Sequence, residues 1–187
     1  MFIAQKLKKE NICEYLLYMW QIEDLLRAFR LDINNVSKQI IDPYPISEEE
    51  KKTLYQWYES LIEMMRIENV AKKGHLQINK NVVNQLDEFH SLMLRSGADA
   101  AYNMSFRNIQ SYLQQLYTSQ SNREVGSIEI CFNFQYGIML LRMKKTDLTP
   151  ATEKARQEIA RFMAILSANY KKYQNGELAL DEESMRF

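Results

Sequence analysis

Ile128-Glu129-Ile130-Cys131-Phe132-Asn133-Phe134-Gln135-Tyr136 is the stretch on which the fold class turns. Ile128, Ile130, Phe132, Phe134 and Tyr136 alternate with Glu129, Cys131, Asn133 and Gln135, the period-two pattern of a half-buried strand. Carried on to Met143, the apolar run is longer than most strands and is flanked by helical patterns. The one segment available to pair with it, His75-Leu76-Gln77-Ile78, is brief. We read 127–145 as a helix buried on most sides, with the strand left open as the alternative. An all-α chain follows.

The neighbouring sequence agrees. Five Gly and three Pro in 187 residues are too few for a turn-rich β architecture. Upstream, Tyr15, Tyr18, Ile22, Leu25 and Phe29 trace an i+3/i+4 stripe on a helix expected from Phe2 to Arg30. Further apolar stripes beside it make that helix apolar nearly all round, so we expect it to be largely buried and central. A short turn or helix over 32–41 leads to Pro43 and Pro45.

Ser47 with Glu50 forms a capping-box signature, and the second helix is expected to end at Lys72-Lys73-Gly74. A third helix is expected over 80–96 and a fourth from Tyr102 to Leu116, followed by a polar loop from Thr118 to Arg123. Thr149-Pro150 opens the last helix, which Asn175-Gly176 closes. The expectation is a single-domain bundle of about six helices over 1–176, with an acidic tail over 177–187 loosely docked or frayed.

Composition limits the functions. Lys plus Arg equals Asp plus Glu at 24 each, so the basic surplus that phosphate neutralisation calls for is missing. Nucleic acid is disfavoured as a partner. Cys13 and Cys131 lie in apolar stretches and are too few for a disulfide framework or a structural zinc site. The start of the chain lacks the pattern of a signal peptide, and its most apolar run, 130–141, is too short to span a bilayer. A soluble cytoplasmic protein without a membrane partner is the expectation.

Candidate chemistry gathers on the first helix. Arg27 stands three residues from Asp24 and four from Glu23, so it can reach either carboxylate from one helix face. Charges among buried residues must be paired, since burying a lone one costs several kcal/mol. One reading is a polar pocket in which Arg27 grips an anionic ligand, Trp20 stacks and a carboxylate acts as acid or base. The other is an ion pair that fixes helix register, and we favour it because such networks are often structural. Glu129 and Asn133 share a face if 127–145 is helical, and they are candidates to join Arg27.

Asp87 and His90 have the i, i+3 spacing of carboxylate–histidine metal pairs in bundles. A di-metal site needs that pairing twice, and the chain has two His in all. No metal or other cofactor is expected. Phosphate-cradling glycine loops and nucleophile elbows are missing, so the sequence leans away from an enzyme.

The stretch Lys9-Glu10-Asn11-Ile12-Cys13-Glu14-Tyr15-Leu16-Leu17-Tyr18-Met19-Trp20-Gln21-Ile22-Glu23-Asp24-Leu25-Leu26-Arg27 resembles a helical family of unknown function from Bacteroidetes genomes. The resemblance implies a bacterial, single-domain helical protein and brings no activity, cofactor or site residue. With 11 Tyr and 10 Met, both common at interfaces, the leading reading is a helical interaction or scaffold protein that self-associates as a homodimer. The alternative is a small-molecule binder or enzyme using the polar pocket on the first helix.

Overall fold

The structure, a computed structural model, describes residues 1–119 and 125–180. Among them are no strands, eight α-helices and a five-residue π-helical turn. The helices are α1 (Phe2–Glu10), α2 (Ile12–Ala28), α3 (Ile33–Val36), α4 (Glu48–Ile67), α5 (Gln77–Ser96), α6 (Ala100–Ser119), α7 (Ser127–Met143) and α8 (Pro150–Gln174). The π turn covers Ser37–Ile41 and follows α3 directly. The count exceeds six because the expected first helix is split at Asn11 and the turn over 32–41 is itself helical.

The chain divides into two compact units, one of Met1–Lys8 and Glu14–Asn81, the other of Lys9–Cys13 and the chain from Val82 on.

In the first unit, the part of α2 after Cys13 buries Tyr15, Leu16, Met19, Trp20, Ile22 and Leu26, and leaves Glu14 and Gln21 exposed on its other side. α1 is buried at Ala4 alone. α2 stops where Arg30 and Leu31 both take φ of 56°, in the left-handed region that ends helices. Asp32 then caps α3 by accepting from the Asn34 N–H at 2.9 Å. The Ser47–Glu50 capping box forms as the sequence indicates, and Leu54, Tyr58, Leu61 and Met65 are buried on α4.

α4 is shorter than expected. It ends at Ile67 because Asn69 adopts φ of 57°, and the loop runs on through Gly74 at φ of 88°. Asn tolerates that conformation better than most residues, so the sequence holds an earlier stop than Lys73-Gly74.

In the second unit α6 packs against α8, and α7 packs against both. Segment 127–143 is a helix, with Ile128, Ile130, Cys131, Phe132 and Ile138 buried. Its alternating pattern reflects a helix enclosed on a broad arc. Asn11, between α1 and α2, accepts a hydrogen bond from the Ser167 hydroxyl at 2.8 Å. Thr149 caps α8 through the Thr152 N–H at 3.1 Å, with Pro150 as its first residue. α6 runs on through Thr118 and Ser119, so the polar loop expected there begins later, and its remainder lies outside the described residues. So does the tail beyond 180.

Candidate functional site

α2 places Glu23 and Arg27 one turn apart, and the loop after α4 brings their partners. The Glu23 carboxylate is 1% exposed. Its Oε1 accepts from the Leu76 N–H at 2.9 Å and from Asn79 Nδ2 at 2.7 Å. Its Oε2 lies 2.6 Å from His75 Nδ1. A carboxylate can only accept, so the ring nitrogen donates. The imidazole lies flat on Trp20, with ring centroids 3.9 Å apart and planes 13° from parallel.

Leu76 and Gln77 stand at the start of α5, whose first amides have no partner within the helix. Glu23 takes the first, and Glu68 accepts from the Gln77 N–H at 2.6 Å. Two carboxylates from elsewhere in the chain therefore cap this helix, where its dipole favours negative charge. Arg27 ties the same loop from the other side. Its Nη1 donates to Asp24 Oδ1 at 2.7 Å. Nε and Nη2 donate to the Val70 carbonyl at 3.3 and 3.1 Å, and Nη2 also donates to the Gly74 carbonyl. Arg27 and Glu23 approach no closer than 4.0 Å.

Trp20, Glu23, Asp24 and Arg27, picked out from the sequence, thus stand together. Glu23 and Arg27 both fasten the loop before α5, within the same unit. Asn79 Oδ1 is a buried acceptor that meets no donor among the described residues, while the residue itself is 0% exposed. His75, Asn79, Glu68 and the Val70 carbonyl are not legible from α2, because none has a fixed spacing from Glu23.

The remaining candidates are in the second unit. Glu129 and Asn133 are half-buried on α7. Asp87 caps α7 from α5, its Oδ1 accepting from the Ile128 N–H at 3.4 Å. Gly126, the N-cap residue, makes room for it: a Cβ there would collide with Asp87 Oδ2. Burial pushes the Asp87 carboxyl above its usual range, the Ile128 amide pulls the other way, and the charge of Glu129 adds to the rise.

His90 turns elsewhere. Its Nδ1 is 2.6 Å from the Tyr102 hydroxyl, and its ring packs among Phe106 and Phe162. Burial lowers its pKa to about 4, so the imidazole is neutral at pH 7. The i, i+3 pair therefore splits between a helix cap and an aromatic core, and neither group is presented to a metal. Among the described residues no group of three or more His, Cys, Asp or Glu is placed to hold one. Cys131 is fully buried and burial drives its thiol pKa up, which leaves it a packing residue at neutral pH.

Fold and site together define a protein whose described residues form helices and no strands, with carboxylates, the buried Glu23 among them, serving as helix caps. The chain belongs to the family described as a domain of unknown function (DUF4924), whose model matches residues 1–177. No curated protein and no solved structure matches it. No described helix is long and apolar enough to cross a membrane.

Proposed function

We propose that this protein is a helical interaction module that self-associates as a homodimer. The observation that carries the reading is an apolar surface on the first unit. Two grooves, of about 220 and 60 Å³, lie along α1 and α4 and share Met1. Phe2, Ile3 and Ile78, which line them, are 37%, 47% and 41% exposed. Apolar groups gathered on one surface lower the free energy of any partner that covers them. The charged cluster on α2 supports the same reading, since its groups are engaged in holding the loop and the start of α5. Light scattering at high micromolar concentration tests it: a dimer mass is expected, and a strict monomer with no co-purifying protein removes the reading.

A second reading keeps an anionic small molecule at the Arg27 cluster. Its support is the cationic contribution of Lys72 and Lys73, exposed on the loop that Arg27 holds, beside the carboxylates of Glu23, Asp24 and Glu68. The variant Arg27→Met separates the two. A variant as stable as the parent that loses a ligand found by thermal-shift screening favours the small molecule. A destabilised variant, with no compound shifting the parent, favours the structural role.

A further inference from the structure

We infer that His75 is a phosphoryl-accepting nucleophile, with Glu23 as its positioning residue and a small phosphoramidate or acyl phosphate as its donor. The inference stands apart from self-association. It rests on the part of the Glu23 contact that helix capping does not use.

The two carboxylate oxygens of Glu23 have different partners. Oε1 accepts from the Leu76 N–H and from Asn79, which completes the cap. Oε2 accepts from His75 Nδ1 at 2.6 Å. A neutral imidazole carries one N–H, so holding it on Nδ1 leaves the free lone pair on Nε2. Nε2 makes no hydrogen bond among the described residues. The His75 side chain is 27% exposed and that of Glu23 1%, so the pair has a solvent end and a buried end. Stacking on Trp20, with centroids 3.9 Å apart, holds the plane of the ring. A ring fixed in plane and in tautomer, with a buried anion behind it, is an activated nucleophile.

The loop selects the electrophile. Glu23, Asp24 and Glu68 balance Arg27, Lys72 and Lys73, so placement matters here and net charge does not. The three acids are buried or half-buried, and each holds a donor: His75, Arg27 and the Gln77 amide. Arg27 is half-buried and spent on Asp24 and the Val70 and Gly74 carbonyls. Lys72 and Lys73 alone of the six are exposed, and the chain turns at Gly74, φ 88°, between them and the ring. Two exposed ammonium groups beside a nucleophilic nitrogen suit an anionic phosphoryl group.

In the step, the Nε2 lone pair attacks phosphorus and a new N–P bond forms. The bond from phosphorus to the leaving ammonia or carboxylate breaks, and its electron pair departs with that group. The Nδ1 proton stays on the ring, and Glu23 faces the positive charge that the ring acquires.

Phosphoramidate is the probe, read by phosphorus NMR and by mass. One acid-labile phosphoryl group is expected on His75 and none in His75→Gln. His90, 5% exposed, is the internal control and is expected to stay unlabelled. Labelling of His75 is expected to be about tenfold faster than that of N-acetylhistidine. Glu23→Gln is the decisive variant. Its amide oxygen still accepts from Leu76 and Asn79, while its NH2 faces Nδ1, which must then accept and sends the ring proton to Nε2. Labelling is expected to fall about tenfold or more, with helix content by circular dichroism unchanged. Nitrogen NMR is expected to show the Nδ1–H tautomer in the parent and the Nε2–H tautomer in the variant. An unlabelled parent, a rate no greater than that of N-acetylhistidine, or an Nε2–H tautomer in the parent overturns the inference. So does a folded Glu23→Gln labelled as fast as the parent. Each of these results leaves self-association standing.

Discussion

Glu23 and His75 are 52 positions apart, yet a carboxylate oxygen of one lies 2.6 Å from Nδ1 of the other. The contact fastens the loop before α5 to the face of α2, and the same carboxylate caps α5 through Leu76. Removing it leaves a buried amide, the Asn79 side chain and the imidazole without their acceptor. Glu23→Ala is expected to cost about 3–5 kcal/mol in urea unfolding, against about 1 kcal/mol for Ser47→Ala at the exposed cap of α4. Equal costs at the two sites would show that burial adds nothing to the Glu23 cap.

Arg27 closes the other side of the loop through the Val70 and Gly74 carbonyls. In Arg27→Met those carbonyls lose their donor while the side-chain volume is roughly kept. Limited trypsin digestion is expected to cut faster after Lys72 and Lys73 than in the parent, because local opening becomes less costly. An unchanged rate at those two bonds contradicts the clamp.

The Gly126 backbone and the Asp87 carboxylate are in close approach. Alanine at 126 drives the carboxylate off the Ile128 N–H, and the expected loss is about 1 kcal/mol after the stiffer unfolded chain is counted. Once Asp87→Ala has removed the carboxylate, Gly126→Ala is expected to cost nothing. A double-mutant cycle reads this coupling, and additive effects would exclude it.

His90 gives the pH dependence. Its folded pKa, about 4, is below its ordinary 6.5. Between those values the unfolded chain takes up a proton that the folded chain refuses, so stability is full above pH 6.5 and declines as pH falls toward 4. At most about 3 kcal/mol is involved. His90→Gln is expected to flatten that part of the curve while offering Tyr102 another partner. The same slope in parent and variant would place the titration elsewhere.

Local chemistry is what the sequence displays openly. Ser47 with Glu50, and Thr149 with Pro150, are fixed by spacing and form as read. The helix over 127–143 is legible from its length and setting, against an alternation that only wrapping on a broad arc explains. Asn11 leaves little signal: a single Asn within an apolar helix usually continues it, and here its side chain accepts from Ser167. At the candidate site the sequence groups Glu23, Asp24 and Arg27 because they are one turn apart. It cannot supply His75 or Asn79, since a contact across more than fifty residues depends on where the chain turns back.

Hydrogen exchange at the Leu76 amide, in the parent and in Glu23→Ala, which has no acceptor to offer, tests most directly whether this buried carboxylate is a helix cap. The amide is expected to be strongly protected in the parent and to exchange about tenfold or more faster in the variant, with amides in the middle of α4 affected less. Equal protection of Leu76 in the two proteins would contradict it.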